Sequence, residues 1–333
     1  MENKKRDSGN LYFQIITAII LMVAVFIISI GVGRYPISVK DILNIILGNE
    51  VSNMTRNVFY TLRLPRTIMV LLAGIGLSVS GSVYQTIFKN PLATPDLIGV
   101  SSGANLGVAI AIVFFSESTL SITGFAFLGG LGAVFIALGL TKVSQNKSIS
   151  TFILAGIVVS SLTQGFIMFL KYIADPEKEL AAIEFWTMGS FASITNNKVI
   201  SVLPYFFIGL LVLFLLRWQI IVLSLSDEEA KSLGVKVDTI RVIIVIAATL
   251  VVASIVSVSG LISFIGLIGP HIARMITKKN DFTTTILSAI VGAIILLVAD
   301  TFARSIASSE IPISILTTFI GSPFLAYLMS RIK

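Results

Sequence analysis

Long apolar runs recur along most of the chain, each bounded by a short cluster of charged residues, proline or glycine. A helix needs about 20 predominantly apolar residues to cross a hydrocarbon core about 30 Å thick. The pattern therefore predicts ten spans, at approximately 11–33, 66–87, 98–116, 122–141, 149–171, 198–217, 239–259, 261–276, 282–303 and 311–330. The eighth is the shortest. The chain reads as an all-α polytopic membrane protein with one transmembrane domain over 1–333 and about ten transmembrane helices.

The interruptions are patterned too. Ser38 precedes Ile42, Leu43, Ile45, Ile46 and Leu47, which predicts a short amphipathic helix with an N-cap. Residues 175–195 mix acidic residues with an apolar stretch around Trp186 that is too short to cross, so an outer or re-entrant helix is expected. Ser226 followed by Glu229 has capping-box spacing, and Gly234 suits a left-handed stop. The segment 224–236 should thus hold a two-turn helix that must pack on something else. Gly99, Gly103, Gly107 and Ala111 form a stripe of small residues that permits close helix approach. Ser78-Val79-Ser80-Gly81 with Pro91 and Ser257-Val258-Ser259-Gly260 with Pro270 match in spacing. That match suggests an internal parallel repeat, with halves near 63–171 and 239–330.

Charge orients these elements. With 55% hydrophobic and 12% charged residues, the chain has too little polar surface for a soluble globule of 333 residues. With the N-terminus inside, fifteen of the 24 basic residues, Lys147 and Lys333 among them, fall on cytoplasmic segments, which puts both termini in the cytoplasm. The net charge of +7 therefore reflects orientation, not nucleic-acid binding. Arg63, Arg66 and Arg304 break the rule at outer span ends. They either pair internally, as Asp300 with Arg304 at a spacing of four, or await an acidic partner.

Catalysis and metal binding find little support. The chain has no cysteine and one histidine, His271, so thiolate and histidine metal sites are excluded and no cofactor is expected. No Gly-Lys pair occurs, so there is no phosphate-binding P-loop. Gln85, Asn105 and Gln164 are the amides placed to line a polar path through the membrane or to bond helices together.

Several ordered motifs carry a family resemblance: Arg63-Leu64-Pro65-Arg66, Asn90-Pro91-Leu92-Ala93, Gly99-Val100-Ser101-Ser102-Gly103-Ala104, Ala230 to Gly234, Gly266 to Arg274, and Glu310-Ile311-Pro312. The chain resembles the FecCD family of permeases, which serve ATP-driven importers for iron-siderophores, haem and cobalamin. Gly269 departs from the β-branched residue usual in that family, and Ile149 from a polar one. The resemblance implies a type II ABC importer permease in the bacterial cytoplasmic membrane, not an enzyme. It also implies a second permease subunit, cytoplasmic ATPase subunits, and an extracytoplasmic substrate-binding protein or lipoprotein. By the same resemblance, Arg63, Arg66 and Arg304 meet glutamates of the binding protein. Asp227, Glu228, Glu229, Ala230, Lys231, Ser232, Leu233 and Gly234 form the helix that couples to the ATPase, and Ser150 lies in the cytoplasmic gate. Two alternatives stay open. One is haem or cobalamin as substrate; the other is a secondary transporter using Asp300, which is read as the one carboxylate within a span.

Overall fold

A computed structural model describes residues 2–115, 118–144, 148–306 and 309–331, so Lys147 and Lys333 lie outside the described residues. Among the described residues the chain is helical throughout. It opens with α1 (Glu2–Gly31), α2 (Val39–Ile46), α3 (Asn53–Asn57) and α4 (Leu64–Ile87), a π-helical turn at Val58–Arg63 running directly into α4. A 3-10 turn at Pro95–Ile98 leads to α5 (Val100–Phe114), α6 (Thr119–Val143), α7 (Ile149–Ile173), α8 (Glu179–Thr187) and α9 (Asn196–Leu215). The remainder is α10 (Arg217–Val222), α11 (Asp227–Ser232), α12 (Val237–Ser259), α13 (Ile265–Thr277), α14 (Phe282–Ala303) and α15 (Ile313–Arg331).

Each of the ten expected spans coincides with a helix, and seven of these are long and apolar enough to cross a membrane. The shorter ones have local causes. Gly99 takes a left-handed conformation (φ 90°) that only glycine adopts freely, so α5 starts late and holds 15 residues. Phe264, also left-handed (φ 68°), delays α13, which has 13 residues. α2 forms as expected, with Ser38 Oγ accepting from the Asp41 backbone N–H and Ile42 and Ile45 buried. The short helix between the fifth and sixth spans is α8.

α4 and α12 are the buried axis of the bundle, and α4 also packs against α13 and α14. Backbones approach closely where side chains are missing. A Cβ on Gly81 would lie 1.8 Å from the Gly266 carbonyl oxygen, and one on Gly107 would lie 2.0 Å from that of Phe125. The small-residue stripe thus seats α5 on α6 through Gly103 and Gly107, whereas Gly99 serves as the bend.

The matching tetrapeptides do not mark parallel copies. Lys89, just past the end of α4, and Arg241, near the start of α12, meet on the same Asp227 carboxylate. α4 and α12 therefore run antiparallel. Gly81 is followed by six more residues of α4, while Gly260 ends α12. The two proposed halves begin at opposite ends of the bundle, which corrects the same-sense reading. Sequence spacing alone could not reveal this, because it carries no direction across the membrane.

Gly81→Ala is expected to destabilise the protein by about 2 kcal/mol through overpacking, whereas Gly132→Ala, with nothing within 4 Å of the added methyl, should not lower the melting temperature. Thermal unfolding of the detergent-purified variants checks the pair.

Candidate functional site

Four polar assemblies interrupt the apolar bundle. The first lies at the α4 N-terminal end. Arg66 Nε and Nη2 donate to Asp300 at 2.9–3.2 Å, and its Nη1 donates to Glu310 at 2.8 Å. Arg304 Nε stands 3.5 Å from the same Asp300, and its Nη2 donates to Ser29 Oγ at 2.7 Å and to the Ser29 carbonyl. Arg63 donates to the Val32 and Tyr35 carbonyls at 2.8 and 3.2 Å. The sequence expectation grouped these three arginines correctly in space. All are buried, however, at 8%, 8% and 3% exposure for Arg63, Arg66 and Arg304, and each is engaged within the chain. Their polar handles knit α1, α4, α14 and the Glu310 segment together. Asp300, 1% exposed between two guanidinium groups, is an ion-paired anchor, a poor environment for a coupling ion that must come and go.

The second assembly is a groove between α5 and α7, a cavity of about 460 Å³. Asn105 and Gln164 share it with Asp96, Ser101, Ser102, Ser160, Lys171 and Thr187. Thr187 Oγ1 donates to Asn105 Oδ1 at 3.0 Å, Ser102 Oγ donates to Ser160 Oγ at 3.3 Å, and Ser101 Oγ donates to Asp96. Asp96 is the carboxylate that sequence reading missed, because it fell in the loop before the third span. Its turn lies at membrane depth, since Leu97 and Ile98 pack on Gly156, seven residues or roughly 10 Å along α7. The available signal was Pro91, Pro95 and Gly99 spaced closely at the head of an apolar run.

Gln85 is not in that groove. It donates to the Gly266 carbonyl at 3.3 Å and accepts from Arg274, in a separate recess of about 250 Å³ shared with Lys89, Asn90 and Asn280. Arg274 also meets His271 Nδ1 at 3.4 Å. Ser150 is exposed on the first turn of α7, below the groove and outside it. The structure therefore joins two of the four path candidates and separates the other two.

The fourth assembly is α11. Ser226 Oγ accepts from the Glu229 N–H at 3.2 Å, and the Glu229 carboxylate accepts from the Ser226 N–H at 2.9 Å, which completes the expected capping box. Gly234 is left-handed (φ 81°), as expected. Ala230 is buried, whereas Glu228, Glu229, Lys231, Ser232 and Leu233 are exposed. A short helix with a one-residue foot in the bundle thus presents most of its surface outward. Asp227 Oδ1 accepts from Arg241 at 2.9 Å and Lys89 at 3.2 Å. Burial pushes the Asp227 carboxyl up, but the hydrogen bonds and charges of Arg241 and Lys89 prevail and hold it below the usual carboxylate range.

The family model of the FecCD transport family matches residues 20–331. The molybdate import system permease protein of Haemophilus influenzae is 37% identical over 94% of each chain. The Fe(3+)-citrate import system permease protein of Bacillus subtilis is 33% identical over 99% of this chain and 98% of its own. Among solved structures, a metal-chelate type ABC transporter in an inward-facing conformation superposes with a TM-score of 0.87 at 35% identity, covering 96% of this chain and 99% of that one. A second, PsaBC from Streptococcus pneumoniae, has a TM-score of 0.56 at 17% identity and shares the fold.

Asp300→Asn is expected to cost about 3–5 kcal/mol by leaving buried guanidinium charge uncompensated. Lys171→Ala, which breaks an exposed pair with Glu184, should cost under about 1 kcal/mol. Thermal unfolding separates the two. Because the native Asp227 value is depressed, its stabilising contribution is full above the ordinary range and is lost as pH falls through the lowered value. Protection factors for amide exchange across 226–234, corrected for the intrinsic pH dependence of exchange, should therefore stay high at neutral pH and fall only below about pH 4.

Proposed function

Because the chain belongs to the FecCD transport family, an ABC importer permease family, we propose that it is the membrane subunit of an ATP-driven importer for a hydrophilic metal complex, an iron-siderophore first among them. The observation that carries the reading is α11: a capped helix whose exposed face has no partner element among the described residues and whose first residue is clamped to two helix ends. That is the form expected of a contact for a separate, moving subunit. Since the sequence contains no P-loop, the energy must come from such a subunit.

The groove supports the substrate class. Hydroxyls, amides, one carboxylate and one lysine offer many weak contacts, suited to a solute that must be released, and none is aimed as a tight chelating set. Relatives named for molybdate, iron chelatin, Fe(3+)-citrate and cobalamin import agree in transporting hydrophilic metal species. α7 leaves Leu162, Phe166, Phe169 and Tyr172 uncovered beside the groove. A second permease chain seated there would close the path between two copies of α7. The positive-inside distribution assigns the α11 end, and with it both termini, to the cytoplasm.

On the opposite face, docking of a binding protein would work through the arginine corner. Glu310 is one-third exposed and shares Arg66 with Asp300. An incoming glutamate exchanges with Glu310, while Asp300 keeps the guanidinium in place. ATP binding closes the ATPases on α11, the α7 ends near Ser150 part or seal, and access alternates.

Proteoliposomes holding this chain with an ATPase subunit and binding protein should take up ferric chelate only with ATP inside. Uptake by the permease alone, or uptake that proton uncouplers abolish and ATP depletion spares, would overturn the reading. Arg66→Glu should weaken capture of the binding protein by at least about tenfold at low salt, with the difference shrinking as salt rises. Glu310→Gln should strengthen capture.

A further inference from the structure

We propose that the buried guanidinium of Arg241 is the positioning residue that transmits movement of α11 to the gate end of α7; the proposal rests on the importer reading above. Arg241 is fully buried, near the start of α12. Among the described residues its carboxylate partner is Asp227, the first residue of α11, at 2.9 Å. On its other side the guanidinium carbon stands 6.0 Å from the ring centroid of Phe152, within the range of cation–π attraction. Phe152 lies in the first turn of α7, two residues after Ser150. It also meets Phe88 at 6.2 Å, and Phe88 precedes Lys89, which returns to Asp227. The contacts close a ring through α11, α12, α7 and the end of α4.

Physical chemistry makes this ring a lever. A buried cation without its anion is among the costliest states a protein can hold, so Arg241 follows Asp227 when α11 is displaced. Among the described residues Nε and Nη1 of Arg241 have no hydrogen-bond partner, so this arrangement leaves donors free for a second one. Beside Phe152 lies a cavity of about 320 Å³, bordered by Thr141, Asp238, Val242 and Ile243. The first turn of α7 therefore has room to shift. A plain structural role for Arg241, gluing α11 to the bundle, would need neither the aromatic contact nor the space.

The test uses the complete transporter, with ATPase and binding protein, in proteoliposomes, and reads solute imported per ATP hydrolysed. Arg241→Met and Phe152→Leu should each lower that ratio by about tenfold or more while the ATPase still co-purifies. The double variant should be no worse than the poorer single, because both interrupt one chain of contacts. Should Arg241→Met fail to assemble, Arg241→Lys keeps the charge but loses the planar fork and should show the same loss. Phe152→Leu leaves the ion pair intact and would be silent under a gluing role. A ratio within twofold of wild type for Phe152→Leu, or for either Arg241 variant, or independent multiplying losses in the double variant, overturns the proposal. ATP-independent uptake by wild type would instead sink the importer reading, and this inference with it.

Discussion

Charge buried inside an apolar bundle persists only where its partner is fixed, and this constraint organises the molecule at both ends. At one end, Asp300 holds Arg66 and Arg304; at the other, Asp227 holds Lys89 and Arg241. In each case one carboxylate serves two cations from different elements. A single anion between two cations is a cross-link in a low-dielectric setting, because a buried cation that leaves it is stranded without a counter-charge. The first cluster ties α4, α14 and α1 together, and the second ties α11 to α12 and to the loop after α4. Between them the helices hold by close backbone contact, as at Gly81 and Gly266, which needs no polar group.

The two clusters differ in what surrounds them. Asp300 is shut away, whereas Asp227 is partly open and sits on a two-turn helix with a small foot, Ala230, in the bundle. The same chemical device is thus shut away in one place and lies at the open edge of the bundle in the other.

Much of this was legible in the sequence. Apolar run length located every membrane helix, and Ser226, Glu229 and Gly234 gave α11 with its capping box and stop. These features are local, set by residues within a few positions of one another. What escaped was non-local. The antiparallel placement of the two Ser-Val-Ser-Gly stretches follows from how ten spans alternate across the bilayer, which their matched spacing does not carry. The engagement of Arg63 with backbone carbonyls some 30 residues away, and of Arg66 with Glu310, depends on contacts with no sequence signature. Gln85 was grouped with Asn105 and Gln164 because all three are amides in spans, yet depth and helix face separate it from them.

The turn at Pro95–Ile98 has one more effect. By folding back to the level of Gly156, it brings hydroxyls and a carboxylate roughly 10 Å along α7 from its start. Water that fills the groove to that depth leaves only about two helical turns of apolar wall between it and the far side. The dielectric barrier is therefore much thinner here than the surrounding bilayer.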